Sequence, residues 1–119
     1  MILADTSLWI DHLRGGDPEL AAWLDRGEVL MHPFVLGELA VGNLNRREAL
    51  LRQLGQLPHA VAARPEEVLS LISREKLHGL GLGYMDAALL AAVRLTPDAS
   101  LRTRDRRLQQ VADRLAGTL

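Results

Sequence analysis

The chain has 119 residues, 48% of them hydrophobic, and its 14 Lys and Arg residues against 15 Asp and Glu residues give a formal net charge of −1. This length fits one compact domain, and the apolar content is too high for an intrinsically disordered chain. The absence of cysteine excludes a disulfide framework and a thiolate zinc site, and no apolar run approaches the ~20 residues of a membrane span. Asp5 and Asp11 lie where a signal peptide has a basic end and an apolar centre, so we expect a soluble cytoplasmic protein.

Short apolar runs of strand length alternate with helical patterns along the chain. In chain order, the predicted strands cover residues 1–4, 28–32, 58–63 and 99–103. The predicted helices cover about residues 6–15, 17–26, 33–42, 46–56, 65–77, 84–95 and 105–115. This alternation is typical of a parallel sheet that is covered by helices on both faces.

The charged residues are unevenly distributed. Residues 1–40 carry two basic and seven acidic side chains, whereas residues 41–119 carry twelve basic and eight acidic ones. Thirteen of the fourteen basic residues are Arg, which fits the codon usage of a GC-rich genome and also fits a need for planar phosphate donors. The second alternative makes a cluster near the C-terminal end candidate contacts to a nucleic-acid backbone, namely Arg102, Arg104, Arg106 and Arg107.

Four acidic residues stand where a solvated surface does not normally place them. Asp5 follows the first predicted strand and Asp105 follows the last, at the strand ends where ligands bind in parallel sheets. Glu38 and Asp86 lie in predicted helices, and their neighbours three and four positions away are apolar residues or glycine. Each acid also has an ordinary alternative: Asp5 and Asp105 as helix caps, Asp86 as a first-turn acid and Glu38 as a surface residue.

Three of these carboxylates together favour a metal site. Asp5, Asp86 and Asp105 are all expected at one edge of the sheet. At a separation of ~5 Å and an effective dielectric near 20, each pair repels by ~3 kcal/mol. A divalent cation removes this repulsion, and oxygen ligands without His or Cys favour Mg²⁺ or Mn²⁺ over zinc. We therefore predict that these three residues bind Mg²⁺, with Mn²⁺ as a possible substitute.

Four sequence blocks resemble the PIN-domain ribonucleases, and specifically the VapC-type toxins of VapBC toxin–antitoxin pairs. In order, the blocks are LADTSLWIDHL, GELAVGNL, LGYMDAALLAA and LRTRDRRL. The resemblance implies a single PIN domain over residues 1–119, with a three-layer α/β/α sandwich around a short, mainly parallel sheet of about four to five strands. It places the family's catalytic acids at Asp5, Glu38, Asp86 and Asp105.

The resemblance also extends to residues beside the acids. Thr6 and Thr103 match hydroxyl positions next to the metal site of many members. Ala88 stands where the family often has a polar residue, and Arg102 stands where it often has Trp, which puts substrate contacts in doubt rather than the chemistry.

The function implied by the resemblance is Mg²⁺-dependent hydrolysis of RNA phosphodiester bonds by a toxin, with structured RNA such as tRNA as the substrate. Glu38 is then expected to orient or deprotonate the attacking water, or to complete a second metal site. The expected partners are a cognate VapB-type antitoxin and a second copy of the chain in a homodimer. The alternative is a non-catalytic metal- or RNA-binding domain of the same fold.

Other site chemistries fit the sequence less well. A phospho-receiver domain needs a lysine at a late strand end, but Lys76 lies within a predicted helix. A haloacid-dehalogenase-type phosphatase needs Asp-x-Asp after its first strand, but Thr6 and Ser7 follow Asp5. The four histidines have no metal-binding spacing, so we expect them to be surface or structural residues.

Overall fold

A computed structural model describes residues 1–117, and the predicted alternation of strands and helices is confirmed there. The strands in this range are β1 (Ile2–Ala4), β2 (Val29–Leu30) and β3 (Ser100–Arg102). The helices in the same range are α1 (Thr6–Gly15), α2 (Pro18–Asp25), α3 (Pro33–Val41), α4 (Arg47–Gly55), α5 (Pro65–Arg74), α6 (Tyr84–Leu95) and α7 (Arg106–Ala116).

The sheet has the order β2-β1-β3, and both strand pairs are parallel. Leu3 at the centre of β1 lies opposite Leu30 on one side and Leu101 on the other. The chain passes from β1 to β2 and then returns across β1 to β3. Right-handed connections that run in opposite directions place their helices on opposite faces of the sheet. This is the expected three-layer sandwich, and its strand order reverses between β1 and β3, where sheets of this kind bind ligands.

The prediction of a strand over residues 58–63 is wrong, because this segment forms only a single β-bridge within residues 1–117. Met31, next to β2, pairs in parallel with His59, and the Met31 N–H donates to the Pro58 carbonyl at 2.7 Å. The Ala60 N–H completes the bridge by donating to the Met31 carbonyl at 2.9 Å. Pro58 has no N–H to extend the pairing along β2, and the Val61 N–H donates to the Thr96 hydroxyl at 2.8 Å. The segment therefore leaves the sheet after one bridge. Where four to five strands were expected, residues 1–117 form three strands and this bridge.

One hydrophobic cluster joins the sheet to the helices. All residues of β1 and β2 except Ile2 are buried. In α6, the six consecutive residues from Ala87 through Ala92 are buried. A helix that is apolar on all sides belongs in the interior of a domain. The strand ends and the start of α6 are therefore held by the best-packed part of the molecule. No helix within residues 1–117 is long and apolar enough to cross a membrane.

Candidate active site

Asp5 follows β1 directly and is held there because it is the N-cap of α1. Its backbone N–H donates to the Arg102 carbonyl at 3.1 Å, which continues the pairing of β1 with β3. Its Oδ1 accepts hydrogen bonds from the Leu8 N–H at 3.2 Å and from the Ser7 hydroxyl at 2.6 Å. Asp5 is only 8% exposed, so these donors replace the water that burial removes from the carboxylate.

The Thr103 hydroxyl connects the two acids at the strand ends. It donates to Asp5 Oδ2 at 2.5 Å and accepts from the Asp105 N–H at 3.0 Å. The Ser7 hydroxyl adds a second link to the same turn, because it accepts from the Arg104 N–H at 3.2 Å. Asp5 and Asp105 are therefore joined through one hydroxyl, at the place where the strand order reverses.

Gln109 supports this turn from α7, and sequence reasoning missed both it and Ser7. The Gln109 side-chain carbonyl accepts from the Thr103 N–H at 3.1 Å, while its amide nitrogen donates to the Leu101 carbonyl at 3.1 Å. Ser7 lies within the LADTS block and was available as a signal, because a hydroxyl two residues after a capping Asp often bonds to it. Gln109 carries no local signal, since its partners are fixed only by the packing of α7 on β3.

Glu38 lies on α3 and is connected to α1 through Thr6, whose hydroxyl donates to Glu38 Oε1 at 2.8 Å. The apolar neighbours of Glu38 do not bury it. Val35 is buried, but Phe34 is 39% exposed and Val41 is 89% exposed, and Glu38 itself is exposed. Its carboxylate thus shares an apolar surface with these side chains while it remains in contact with water.

Asp86 lies in the first turn of α6, where its Oδ2 accepts from the Gly83 N–H at 3.0 Å. Asp86 is half-buried. The loop before it is tied to the start of α7, because Arg107 Nη1 donates to the Leu80 carbonyl at 2.9 Å. Arg107 lies two residues after Asp105. This bond brings the loop that precedes Asp86 to the helix that Asp105 begins.

The four acids fit a divalent cation by their chemistry, although they are not gathered around one point. Asp105 uses Oδ1 to cap α7 at the Leu108 N–H, 3.1 Å away, just as Asp86 and Glu38 each use one oxygen. The second oxygen of each of these three carboxylates accepts no hydrogen bond within residues 1–117 and is available to a ligand. However, no three His, Asp or Glu residues in that range are close enough to hold one ion.

The four candidate arginines have different environments. Arg104 is paired with Asp11 and Asp17, and Arg107 is bonded to the backbone of the loop before α6. Arg102 and Arg106 are exposed, and their side chains form no ion pair or hydrogen bond with any residue from 1 to 117. Only these last two guanidinium groups are uncommitted among the four.

Two of the four histidines accept structural hydrogen bonds from the backbone, and His59 and His78 are exposed, which agrees with the prediction of structural or surface residues. His32 caps α3 by accepting the Phe34 N–H on Nδ1 at 3.0 Å, and His12 accepts the Asp17 N–H in the same way at 3.0 Å. Burial and the nearby His59 lower the pKa of His32 below its usual value of 6.5. A neutral His32 keeps the lone pair on Nδ1 that the cap requires.

Ala88, which stands where the resembling sequences often have a polar residue, lies in the core. It is 3% exposed and lies in the hydrophobic cluster on α6, so its side chain cannot reach a substrate. Arg102, the other departure, is exposed at the end of β3. The first difference therefore concerns the core, and only the second concerns a surface that a ligand can contact.

Comparison with known proteins adds a family match to this geometry. A family model described as "PIN domain" matches residues 2–114. The chain is 45% identical over 109 residues to "Ribonuclease VapC32" of Mycobacterium tuberculosis strain CDC 1551 / Oshkosh, an alignment that covers 92% of this chain and 88% of the relative. The protein of the same name from strain ATCC 25618 / H37Rv matches with the same identity and coverage.

Proposed function

The chain belongs to the PIN-domain family and is of the VapC type, and from this premise we propose that it is a metal-dependent endoribonuclease, the toxin of a type II toxin–antitoxin system. We propose further that residues 1–119 form a single PIN domain. The observation that supports the activity most directly is the Thr103 hydroxyl, which joins Asp5 and Asp105 at the reversal point of the sheet. An acid pair at this place is suited to bind a cation against a phosphate.

Asp5, Asp86 and Asp105 are the proposed ligands of Mg²⁺, for which Mn²⁺ can substitute. When bound, the ion polarises the phosphoryl oxygen, lowers the pKa of the attacking water and stabilises the leaving oxygen. To share one ion, these acids must come closer together than they are in this structure. Asp5 is the fixed member of the set, because both of its oxygens are already held by hydrogen bonds.

Glu38 is proposed to orient the attacking water or to remove its proton. One of its oxygens is fixed by the Thr6 hydroxyl at 2.8 Å, which leaves the other to accept a proton or a hydrogen bond. Because Glu38 is exposed, water reaches it without passing through the core. A positioned carboxylate of this kind typically contributes about 100-fold or more to the rate of such a reaction.

The proposed substrate is structured RNA such as tRNA, bound mainly through its phosphates. Arg102 and Arg106 are the arginines that remain available for such contacts. Trp9 is 1% exposed, so it cannot stack on a base. Recognition is expected to depend mainly on backbone charge and on the shape of the RNA, and affinity should fall steeply with salt.

The proposed partners are a VapB-type antitoxin and a second copy of the chain. A groove of about 430 Å³ lies between α1, α3 and the segment before α4, with Ile10, Leu13 and Leu50 in its lining and Glu38 at one side. The excess of acidic residues in the first forty positions suits a partner segment with basic side chains. Expression of this chain without its antitoxin should therefore arrest growth.

The test is RNA cleavage by the purified chain with Mg²⁺, with EDTA, and with an Asp5→Asn variant. Asn is as good a helix cap as Asp, so the variant should keep its fold while it loses a charged ligand. We expect EDTA to stop cleavage and Asp5→Asn to slow it by about 100-fold or more.

Circular dichroism and thermal melting of the variant control for its folding. Cleavage at the wild-type rate by a folded Asp5→Asn variant would contradict the assigned site. RNA binding that persists in EDTA, with no cleavage under any condition, would favour the alternative of a non-catalytic RNA-binding domain.

A further inference from the structure

Arg104 differs from the other arginines near the site because two carboxylates hold its guanidinium group. Its Nε lies 3.1 Å from Asp11 Oδ2, and its Nη2 bonds to Asp17 Oδ2. Asp11 belongs to α1, and Asp17 is the cap of α2. One side chain thus connects the turn after β3 to the corner between the first two helices.

The corner that receives Arg104 is itself well fixed. The Asp17 side chain is 8% exposed, and its Oδ1 accepts the Leu20 N–H at 2.9 Å. The Asp17 N–H in turn donates to His12 Nδ1 at 3.0 Å. A carboxylate with these bonds cannot swing away with the arginine, so it serves as a rigid anchor.

The backbone of Arg104 is part of the candidate active site. Arg104 lies between Thr103, which donates to Asp5, and Asp105. Its own N–H donates to the Ser7 hydroxyl at 3.2 Å, and that hydroxyl donates to Asp5. The same residue is therefore bonded to the acids through its main chain and to the helix corner through its side chain.

We propose that Arg104 is a positioning residue for the metal site and not a contact to RNA. Its ion pairs fix the turn of residues 103–105, and with it the Thr103 hydroxyl and the start of α7 at Asp105. Two carboxylates already balance the charge of the Arg104 guanidinium group, so it offers an RNA phosphate less attraction than an unpaired arginine does. This inference depends on the proposed function, because it assigns Arg104 to the same cation site.

The geometry of the guanidinium makes the inference testable by a conservative substitution. Arginine binds the two carboxylates with two different nitrogens, whereas a lysine offers a single ammonium group at the end of a flexible chain. Arg104→Lys keeps the positive charge that attracts a phosphate and loses the two-sided pairing. The two roles of Arg104 therefore predict opposite results for this variant.

The experiment compares four variants of the full chain: Arg104→Lys, Arg104→Gln, Asp11→Asn and the control Arg106→Gln. Two quantities are measured, the affinity of the metal-free protein for Mn²⁺ by calorimetry, and kcat and KM on a hairpin RNA that the wild type cleaves. We expect both Arg104 variants to weaken Mn²⁺ binding and lower kcat by about 10-fold, with little change in KM. Asp11→Asn should shift both quantities in the same direction by a smaller factor.

The control Arg106→Gln should behave differently because Arg106 has no ion pair within residues 1–117. It should raise KM and reduce the salt dependence of RNA binding by about one phosphate contact, with Mn²⁺ affinity unchanged. Melting temperatures identify any variant that fails to fold. Asp11 is about half exposed, so Asp11→Asn carries the test if the Arg104 variants unfold.

Two outcomes would overturn the inference while the proposed function stands. In one, Arg104→Lys keeps wild-type kcat and Mn²⁺ affinity and Asp11→Asn lowers KM, as expected if Arg104 binds phosphate. In the other, the wild type cleaves RNA and binds Mn²⁺, and all Arg104 and Asp11 variants have the same kcat, KM and Mn²⁺ affinity as the wild type. A wild type that neither binds Mn²⁺ nor cleaves RNA would overturn the proposed function and, with it, the inference.

Discussion

The acids at the strand ends and the acids on the helices are held in different ways. Asp5 and Asp105 follow adjacent parallel strands and are joined by the Thr103 hydroxyl. Within residues 1–117, the Glu38 carboxylate accepts one hydrogen bond from another element, from Thr6, and the Asp86 carboxylate accepts one from the start of its own helix. The sheet and the Thr103 hydroxyl thus hold the backbone at the strand-end pair, whereas Glu38 is held by a contact with α1 and Asp86 by its place in the first turn of α6.

This difference suggests that the strand-end pair and the helix acids have different roles in the site. A fixed pair defines where an ion and a phosphate bind, at little cost in reorganisation. Glu38 and Asp86, which no hydrogen bond links to the strand ends within residues 1–117, can adjust when the ion arrives, which the open arrangement of the four residues requires. If this division is correct, removing the bond within the pair should cost far more activity than removing the bond to Glu38.

The largest effect is expected from Thr103→Val, which removes the shared hydroxyl with little change in shape. Asp5 loses its bond on Oδ2, and the Asp105 N–H loses its acceptor. Loss of a hydrogen bond that orients a metal ligand typically costs about 10- to 100-fold in metal affinity or activity. We expect a decrease of this size in kcat, measured by single-turnover cleavage at saturating RNA.

Thr6→Val is the matched control, since it removes the hydroxyl that bonds to Glu38. Glu38 is exposed and can exchange this bond for one to water, so we expect a decrease of only a few-fold. Equal losses in the two variants would contradict the division between a fixed pair and adjustable helix acids.

The strand-end pair could be predicted from the sequence because a simple rule determines its place. Asp5 and Asp105 each follow an apolar run, and parallel strands bring their carboxyl ends to one edge. The segment 58–63 has the same apolar character but forms only one bridge, because Pro58 lacks an N–H and Val61 bonds to Thr96. Composition identified this apolar segment but not the partners of its backbone groups.

The environment of side chains was harder to predict than the position of elements. Periodicity placed Glu38 on an apolar face, but it could not tell how much of that face other elements cover: Val35 is buried, whereas Phe34 and Glu38 itself are exposed. The arginine cluster indicated phosphate binding, but Arg104 meets Asp11 and Asp17 only after α1, α2 and β3 have packed together. Contacts between residues nearly ninety positions apart leave no local pattern in a single sequence.

A smaller effect is expected from Gly81→Ala in the loop before Asp86. Gly81 has φ +81°, where an L-residue costs about 1 kcal/mol of the free energy of unfolding. The new Cβ would also meet Arg107 Nη1 and displace the bond from Arg107 to the Leu80 carbonyl. We therefore expect lower stability in urea and a kcat that is reduced a few-fold.

Gly79→Ala separates the two causes. Gly79 has φ +73°, and a Cβ there meets nothing within 4 Å. This variant should lose similar stability and keep its kcat. A normal kcat in both variants would show that the bond of Arg107 to the loop does not help to place Asp86.

The smallest effect is expected in the pH dependence of stability, through the N-cap of α3, the helix that carries Glu38. His32 begins α3 by accepting the Phe34 N–H, which only the neutral ring can do. Burial and His59 lower the pKa of His32 in the folded chain, so below pH 6.5 the unfolded chain binds the proton first. More protons on the unfolded state mean that stability falls as the pH falls, and it stops falling below the lowered pKa. Above pH 6.5 both states are neutral and the contribution is complete.

His32→Asn tests this because Asn offers a cap oxygen that does not titrate. Between pH 7.5 and 5.5 the wild type should lose unfolding free energy beyond any loss in the variant, because only the wild-type cap binds a proton over this range. Urea unfolding at a series of pH values measures the difference. Since α1 and α7 are capped by Asp5 and Asp105, only the side of the site that carries Glu38 should loosen over this range, which amide hydrogen exchange in α3 can detect. Parallel pH curves for the two proteins would show that the cap of α3 contributes nothing to that side.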